Sequence, residues 1–246
     1  MVSGPANLFS HPLLWRGNQV SHRIPTLHTG HTCLDRVLPG NGWPCGAVTE
    51  LVHDTTACGE LSLLLPALAR LSREGHRIVM VDPPWIPYPS SLSERGLAME
   101  KLLLIHTKNK KESLWACEQV VRGMPGGAML AWPAEISFGE LRRLQLAAKH
   151  SRQSVFLFRH KAAGNAPSPA ELRLQLQAAD GDLKVSVLKC RGQRSSTSIR
   201  IRRSQLLQTP APGLSASSGS DKPPSSSMKP RVSSKPVQTA ETGTRY

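Results

Sequence analysis

Short, uninterrupted apolar segments alternate along the middle of this chain with segments that have the apolar spacing of an amphipathic helix. After a strand predicted at Ala47–Val52, four more apolar segments follow, with the sequences HRIVMV, KLLLIH, GAMLAW and SVFLFRH. Strands of this kind are buried on both faces, and helices between them are the connections that a parallel sheet requires. The pattern therefore predicts an α/β fold with a mostly parallel central sheet covered by helices on both faces.

The helix-like segments have recognisable start signals. The segment 59–75 places apolar side chains at the period of one helix face. Asn109 with Glu112, and Ser137 with Glu140, have the spacing of a capping box in front of the next two helices. These signals place each predicted helix between two of the apolar strands.

The pattern changes after residue 170. The segments 171–177 and 183–189 alternate apolar and polar residues on either side of an Asp180-Gly181 turn. This combination predicts a β-hairpin with one face in water, attached at the edge of the sheet.

Beyond about residue 195 the chain becomes rich in Ser, Pro, Thr and Lys, with few apolar groups to bury. Such composition is typical of disordered segments, and we predict disorder for residues 208–246. The expected organisation is an N-terminal lead (1–25), a core (26–195) and a basic, disordered tail (196–246).

Positive charge is concentrated near the C-terminus. The formal net charge is +14, and residues 190–246 hold ten Lys and Arg residues against two acidic residues. A basic excess favours nucleic acid or an acidic protein surface as a partner, whereas a solubilising tail is the alternative interpretation.

The five cysteines show neither metal-ligand spacing nor a disulfide framework, which suits a reducing compartment. The N-terminus lacks a signal peptide, and the longest apolar run, Leu61–Leu71, is too short for a membrane span. We therefore expect a cytoplasmic protein that binds no metal and no membrane.

The segment 51–68 has the form of a strand, a loop and a helix, the junction at which a phosphate-binding loop lies. Gly59 is present, but Glu60 follows where the phosphate-binding Lys is needed, and Leu61 cannot ligate Mg²⁺. Counting from Glu50 would place the Lys near Gly59, so neither register supplies one. The predicted strand GAMLAW also ends in Trp132, where an Asp that holds the metal would stand.

We therefore predict that the chain is not an enzyme and has no catalytic residues and no cofactor. Hydroxyls in the loop could hydrogen-bond an anion, but turn residues that cap the helix are the favoured interpretation. The residues of this degenerate loop are His53, Asp54, Thr55, Thr56, Gly59 and Glu60.

The residues that lead into the core resemble the entrance to a RecA-type core, with Leu34-Asp35, Leu38-Pro39-Gly40, Gly42-Trp43-Pro44 and Gly46. The longer run from Leu34 to Arg191 resembles the ImuA family, accessory proteins of bacterial translesion synthesis, and its sister family SulA, inhibitors of cell division. The segments that carry this resemblance are GWPCGAVTELV, GELSLLLPALARL, VDPPWIPY, SLWACEQVVRG, GAMLAWP, LRRLQLAA, FLFR and LKVSVLKCRG. It implies a RecA-like fold that has lost its ATPase activity.

The resemblance also implies two functions in the DNA-damage (SOS) response. An ImuA-like protein would be a non-catalytic adaptor that contacts RecA and the Y-family polymerase-like protein ImuB. A SulA-like protein would bind FtsZ and block septation. The complete entrance segment and the basic C-terminal extension favour the first function.

Two surfaces are candidates for contacts with partners. The segment 189–203 holds five arginines with interleaved isoleucines, and it could contact a partner protein or, weakly, DNA: Arg191, Arg194, Arg200, Arg202 and Arg203. The proline-rich segment 83–92 carries Trp85 and Tyr88, residue types that dominate interface energies. A packed loop is the alternative for that segment, and we expect Trp115 and Trp132 to belong to the core.

Overall fold

The structure is a computed structural model that describes residues 25–54, 59–190 and 197–207. Its strands are, in chain order, β1 (Thr26–Leu27), β2 (Trp43–Pro44), β3 (Ala47–His53), β4 (Ile78–Val81), β5 (Leu102–Ile105), β6 (Ala128–Ala131), β7 (Ser154–His160), β8 (Leu172–Ala179), β9 (Asp182–Cys190) and β10 (Ser198–Ile201). Its α-helices are α1 (Thr32–Asp35), α2 (Glu60–Arg73), α3 (Pro89–Glu94), α4 (Lys110–Gly123), α5 (Phe138–Ser151) and α6 (Arg203–Leu207). Short 3₁₀ turns lie at Pro39–Asn41, Met99–Lys101 and Lys161–Asn165.

Eight strands form one sheet in the order β10-β9-β8-β3-β7-β6-β4-β5. The six strands from β8 to β5 are mutually parallel, whereas β9 is antiparallel to β8 and β10 is antiparallel to β9. The two short strands β1 and β2 pair separately in an antiparallel ribbon. The predicted α/β fold with a mostly parallel sheet is confirmed.

Helices cover both faces of the parallel strands because successive side chains of a strand point to opposite faces. On β4, Ile78 and Met80 belong to the apolar cluster that contains α2. Val79 and Val81 belong to the cluster that contains α4 and α5. All four side chains are completely buried, which explains why this strand is apolar at every position.

The hairpin predicted around Asp180 and Gly181 is formed by β8 and β9, and both turn residues have positive φ, at 50° and 81°.

The two capping boxes predicted from sequence also lie at helix starts. The Asn109 side chain accepts a hydrogen bond from the backbone N of Glu112, and Ser137 and Glu140 form a complete reciprocal box.

The predicted start of the tail at residue 196 is wrong for residues 197–207. Ser198–Ile201 form an edge strand that pairs with β9, and α6 follows directly. Ile201 and Leu206 are buried in the same apolar cluster as α2. Their burial fixes this segment in the core, although its Arg and Ser content suggested a solvated tail. The predicted disorder of 208–246 and most of the lead (1–24) lie outside the described residues.

Within the described residues, the longest helices have 14 residues, and none is long and apolar enough to cross a membrane.

Candidate functional site

The carboxyl ends of the parallel strands β3, β4, β6 and β7 meet at one edge of the sheet, which we call the carboxyl edge. In open parallel sheets, ligands bind outside this edge, where the connections leave for opposite faces. His53 ends β3 and His160 ends β7, while Asp82 and Trp132 directly follow β4 and β6. This edge is therefore the place where a nucleotide site would lie.

In sequence, the degenerate loop lies between His53, at the end of β3, and the start of α2. His53 is buried beside the ring of Phe158, and Asp54 forms an exposed ion pair with Lys161 at 3.0 Å. Gly59, with a φ of 100°, is the N-cap of α2, and Glu60 is its first residue. Thr55 and Thr56, which could hydrogen-bond an anion through their hydroxyls but are better interpreted as turn residues, lie outside the described residues.

Glu60 places a buried carboxylate at the N-terminus of α2. The free N–H groups and dipole of a helix N-terminus attract anions, and a carboxylate in the first turn gains from that field. The same carboxylate repels a phosphate that approaches this turn. The positive end of α2 is therefore occupied by a negative group of the chain itself.

The C-terminal segment covers the beginning of α2. A side chain added at Gly59 would place its Cβ 3.5 Å from Cδ1 of Leu206 in α6. One guanidinium nitrogen of Arg95 donates to the backbone oxygen of Leu206 at 2.9 Å and to the hydroxyl of Ser62 at 3.1 Å. Arg95 therefore fastens α6 to the first turn of α2, where a phosphate would need access.

Trp132 lies at the end of β6, as the sequence indicates. Its ring stacks on Phe158 with ring centres 4.4 Å apart and an angle of 7° between the planes. An apolar stack thus fills the position at the end of β6 where a metal-binding carboxylate was sought. Among the described residues, no group of three or more His, Cys, Asp and Glu side chains is arranged to hold a metal ion.

Asp82 follows β4 with a φ of 50°, a conformation that is uncommon for a residue other than glycine. Its carboxylate accepts hydrogen bonds from the backbone N and the Oγ1 of Thr107, at 2.7 and 2.8 Å. Burial alone would raise the pKa of Asp82, but hydrogen bonds from Ser113 and Thr107 outweigh it and lower the pKa. Asp82 therefore joins the ends of β4 and β5.

The sequence analysis missed a buried cluster of charges. It is centred on β3, the strand that leads into the degenerate loop. Glu50 in the middle of β3 is completely buried and receives Arg159 from β7 at 2.5 Å and Arg173 from β8 at 2.8 Å. Arg173 also donates to the backbone oxygens of Gly164 and Ala166, at 2.8 and 2.7 Å. The cluster ties three parallel strands to the 161–166 connection at the carboxyl edge.

Burial pushes the pKa of Glu50 upward, but hydrogen bonds from Arg173, Ser168 and Arg159 outweigh this, and the pKa lies below its ordinary value. Glu50 is therefore charged in the fold. The available sequence signal was a Glu inside an otherwise apolar buried strand, since a buried charge requires partners.

A shallow cavity of about 310 Å³ opens beside this cluster, between the start of α5 and the 161–167 connection. Its walls are mostly apolar, and the guanidinium of Arg159 is the charged group among its lining residues, Ile136, Phe138, Leu141, Arg159, Ala166 and Pro167. Because Arg159 already binds Glu50 and the backbone oxygen of Ile136, its positive charge is largely compensated within the fold.

The two predicted partner surfaces lie on opposite sides of the molecule. Trp85 and Tyr88 are 66 and 73% exposed in the loop after β4, next to the β5 edge. Arg200, Arg202 and Arg203 are exposed on and after β10, the other edge strand, on the order of 30 Å away across six strand spacings. Arg191 and Arg194 lie outside the described residues.

Two expectations about tryptophans are resolved differently. Trp132 packs against the core, as expected. Trp115 is 65% exposed on α4, so the prediction that it belongs to the core is wrong. It occupies the solvent face of a helix whose buried face consists of Ala116, Cys117, Val120 and Val121.

Comparison with known proteins finds distant relatives. No family model matches the chain. RecA of Bacillus mycoides is 28% identical over 106 residues, which are 43% of this chain and 31% of that protein. RecA of Halalkalibacterium halodurans and RecA of Streptomyces coelicolor are also 28% identical over 106 residues, covering 30% and 28% of their lengths. The chain thus spans about three tenths of these relatives. Together with the mostly parallel sheet, this distant homology supports a RecA-like core.

Proposed function

We propose that this protein is a non-catalytic accessory protein of SOS-induced translesion DNA synthesis. In this role its RecA-like core acts as an adaptor that contacts RecA and a Y-family polymerase-like partner of the ImuB type. The proposal joins the distant homology to RecA with the resemblance of residues 34–191 to ImuA.

The observation that carries the non-catalytic part of the proposal is the state of the α2 N-terminus. A nucleotide site there would need a Lys and an open helix end. Glu60 supplies a negative charge instead, and Leu206 lies beside the position of a Cβ at Gly59. The same fold retains exposed side chains at both sheet edges, and these surfaces remain available for partners.

The basic C-terminal region supports a role near DNA. Residues 190–246 carry ten Lys and Arg residues against two acidic residues, and Arg200, Arg202 and Arg203 are exposed. Such a region attracts nucleic acid or an acidic protein surface without reading a base sequence. We propose weak, non-specific contacts with DNA that add to binding of the protein partners.

The proposal is tested by titrating the purified protein against RecA, against the polymerase-like partner and against FtsZ, at two salt concentrations. A variant that ends at residue 207 keeps the whole described fold and removes the basic segment beyond it. We expect binding to RecA or to the polymerase-like partner, with lower affinity for the shortened chain at low salt. Binding to FtsZ alone would contradict the adaptor role and indicate a SulA-like division inhibitor.

A further inference from the structure

The cavity of about 310 Å³ between the start of α5 and the connection after β7 opens at the carboxyl edge. Small-molecule sites have volumes of about 300–1,000 Å³, so this cavity lies at the lower end of their range. Open parallel sheets bind their ligands outside the carboxyl edge. The position and the volume of the cavity are thus those of a site for a small ligand.

The walls of the cavity are fixed by hydrogen bonds within the chain. On one side, the capping box holds the start of α5, with the backbone N of Ser137 donating to the carboxylate of Glu140 at 2.7 Å. On the other side, Arg173 donates to the backbone oxygens of Gly164 and Ala166 and thereby holds the connection. A ligand that enters preformed walls does not have to order them, so more of its contact energy appears as affinity.

Most of the lining is apolar. Ile136 and Leu141 are buried, whereas Phe138 is 51% exposed at the start of α5. The exposed residues Ala166 and Pro167 complete the lining from the connection. A half-exposed aromatic ring beside buried aliphatic groups offers a surface on which an apolar ligand gains free energy by leaving water.

Arg159 is the hydrogen-bond donor among the lining side chains. The described residues give its guanidinium two acceptors, the carboxylate of Glu50 and, at a long 3.4 Å, the backbone oxygen of Ile136. A guanidinium carries more N–H groups than these two acceptors use. Because the Arg159 side chain lines the cavity and is 14% exposed, a ligand in the cavity can accept from the remaining N–H groups.

The buried cluster beside the cavity has an excess of positive charge. Glu50 is a single carboxylate, and it compensates both Arg159 and Arg173. The charged groups around the cluster and α5 are balanced acids and bases: Asp54 with Lys161, Glu171 with Lys189, and Glu118, Glu135 and Glu140 with Lys110, Arg122 and Arg143. The excess therefore remains at the cluster, and it favours a negative group in the cavity.

We propose that the cavity binds a small apolar carboxylate, a molecule with an aromatic or branched aliphatic body and one carboxylate group. The body packs against Phe138 and Leu141, and the carboxylate accepts hydrogen bonds from Arg159. A free organic acid and the C-terminal residue of a peptide present the same chemistry, so the test includes both. The inference rests on the cavity alone and does not depend on the role in translesion synthesis.

The lining favours a carboxylate over other ligand groups. The planar fork of a guanidinium matches the two oxygens of a carboxylate. Sites for phosphate combine several convergent donors, whereas the side chains of this cavity supply one guanidinium among apolar groups. A purely apolar ligand would leave the remaining N–H groups of Arg159 covered and unpaired, which costs free energy.

The test titrates the ¹⁵N-labelled full chain with 3-phenylpropionate and follows the amide signals by NMR. We expect a dissociation constant on the order of 1 mM, with shifts at Phe138, Leu141 and Ala166. The neutral analogue 3-phenylpropionamide should bind about fivefold more weakly or less tightly still, because it lacks the charge-assisted hydrogen bonds. A short peptide that ends in Phe is compared with the same peptide amidated at its C-terminus.

Two substitutions change the cavity, and each has a matched control. Phe138→Ala removes one wall, and Ala166→Phe fills the space; each should weaken binding about fivefold or more. Leu146→Ala removes another exposed apolar side chain of α5, and Ala162→Phe enlarges another exposed alanine of the same connection. Neither control residue lines the cavity, so both variants should bind within about twofold of the parent chain.

Arg159→Lys keeps a positive charge but removes the fork, and it should also weaken binding of the acid. Because Arg159 belongs to the buried cluster, unfolding curves accompany this variant and all others. If Arg159→Lys does not fold, the comparison of the acid with its amide on the parent chain tests the same contact.

Four results would overturn the inference. 3-Phenylpropionate could leave the amide signals unchanged up to about 10 mM, well above the expected dissociation constant. The acid and its amide could bind equally, or Phe138→Ala and Ala166→Phe could bind as tightly as their controls. Inorganic phosphate could shift the same amide signals while the acid does not, which would make the cavity a general anion site. Tighter binding of the Phe peptide than of the free acid would support the inference and identify a protein C-terminus as the source, whereas weaker binding would support a free acid.

Discussion

At the scale of single residues, the most consequential feature is a carboxylate placed where the sheet is otherwise apolar. Glu50 is completely buried between β7 and β8, and two guanidinium groups compensate its charge. Two buried ion pairs that share one carboxylate depend on that carboxylate entirely. Its removal leaves Arg159 and Arg173, which are 14 and 6% exposed at the side chain, without their partner.

Replacement of Glu50 by Gln should destabilise the fold strongly. Breaking a buried pair by removing one partner costs about 3–5 kcal/mol, because the remaining charge stays buried. The matched control is Glu74→Gln, which breaks the exposed pair between Arg70 and Glu74 at 2.9 Å and should cost less than about 1 kcal/mol. Urea unfolding of the three proteins measures both changes. Equal effects of the two substitutions would contradict the proposed importance of the buried cluster.

The same carboxylate makes stability depend on pH. The pKa of Glu50 is lower in the folded chain than its ordinary value of 4.5, so folding favours the charged form. Its contribution is therefore complete above about pH 4.5 and is lost as the pH falls through the lower folded pKa. We expect the free energy of unfolding to fall with decreasing pH in this acidic range, and to fall less steeply for Glu50→Gln. Parallel curves for the two proteins would show that other carboxylates cause the dependence.

At the scale of secondary structure, features decided by residues close in the chain could be predicted from the sequence, whereas contacts between distant residues could not. The Ser137–Glu140 capping box and the Asp180-Gly181 turn were predicted because each is decided by residues close in the chain. The partners of Glu50 lie 109 and 123 residues away, so spacing along the chain could not identify them. A Glu within the predicted strand indicated only that some partner was needed.

The segment 198–207 shows a second limit. Ile199 and Ile201 alternate with Ser198 and Arg200, the period of a strand with one buried face. The surrounding Arg and Ser residues suggested a tail, but the burial of Ile201 and Leu206 against the core decides the structure.

Adjacent leucines in α6 allow a direct test of this packing. Leu206 is buried beside α2, whereas Leu207 is 53% exposed. Leu206→Ala should lower the free energy of unfolding by about 2–3 kcal/mol, since a buried methyl-rich side chain and its contacts are lost. Leu207→Ala should change it by less than about 0.5 kcal/mol. Equal, small effects in urea unfolding would mean that α6 does not pack stably on the core.

At the scale of the whole molecule, the order of strands decides which loops can act together. The sequence predicted parallel strands but not their order, because the order depends on contacts between distant segments. The observed order places the loop after β4 near one edge of the sheet and β10 at the other. The two surfaces predicted for partners are thus far apart, as the proposed adaptor role would require if each bound a different molecule.

Binding of a nucleotide would stabilise the whole fold by mass action, so unfolding of the whole molecule reports on the degenerate site. A ligand present at 100 times its dissociation constant stabilises the folded state by about 2.7 kcal/mol, which would raise the unfolding temperature by several degrees. Because Glu60 occupies the start of α2 and Leu206 lies beside Gly59, we expect millimolar ATP with Mg²⁺ to leave the unfolding temperature of this chain unchanged. Differential scanning fluorimetry with RecA as a parallel positive control provides the measurement. The control variant is Leu61→Asp, which adds a second negative charge at the same helix end. A reproducible increase in the unfolding temperature of this chain that disappears in the variant would mean that the site still holds a nucleotide. The adaptor proposal would then need a nucleotide-dependent step.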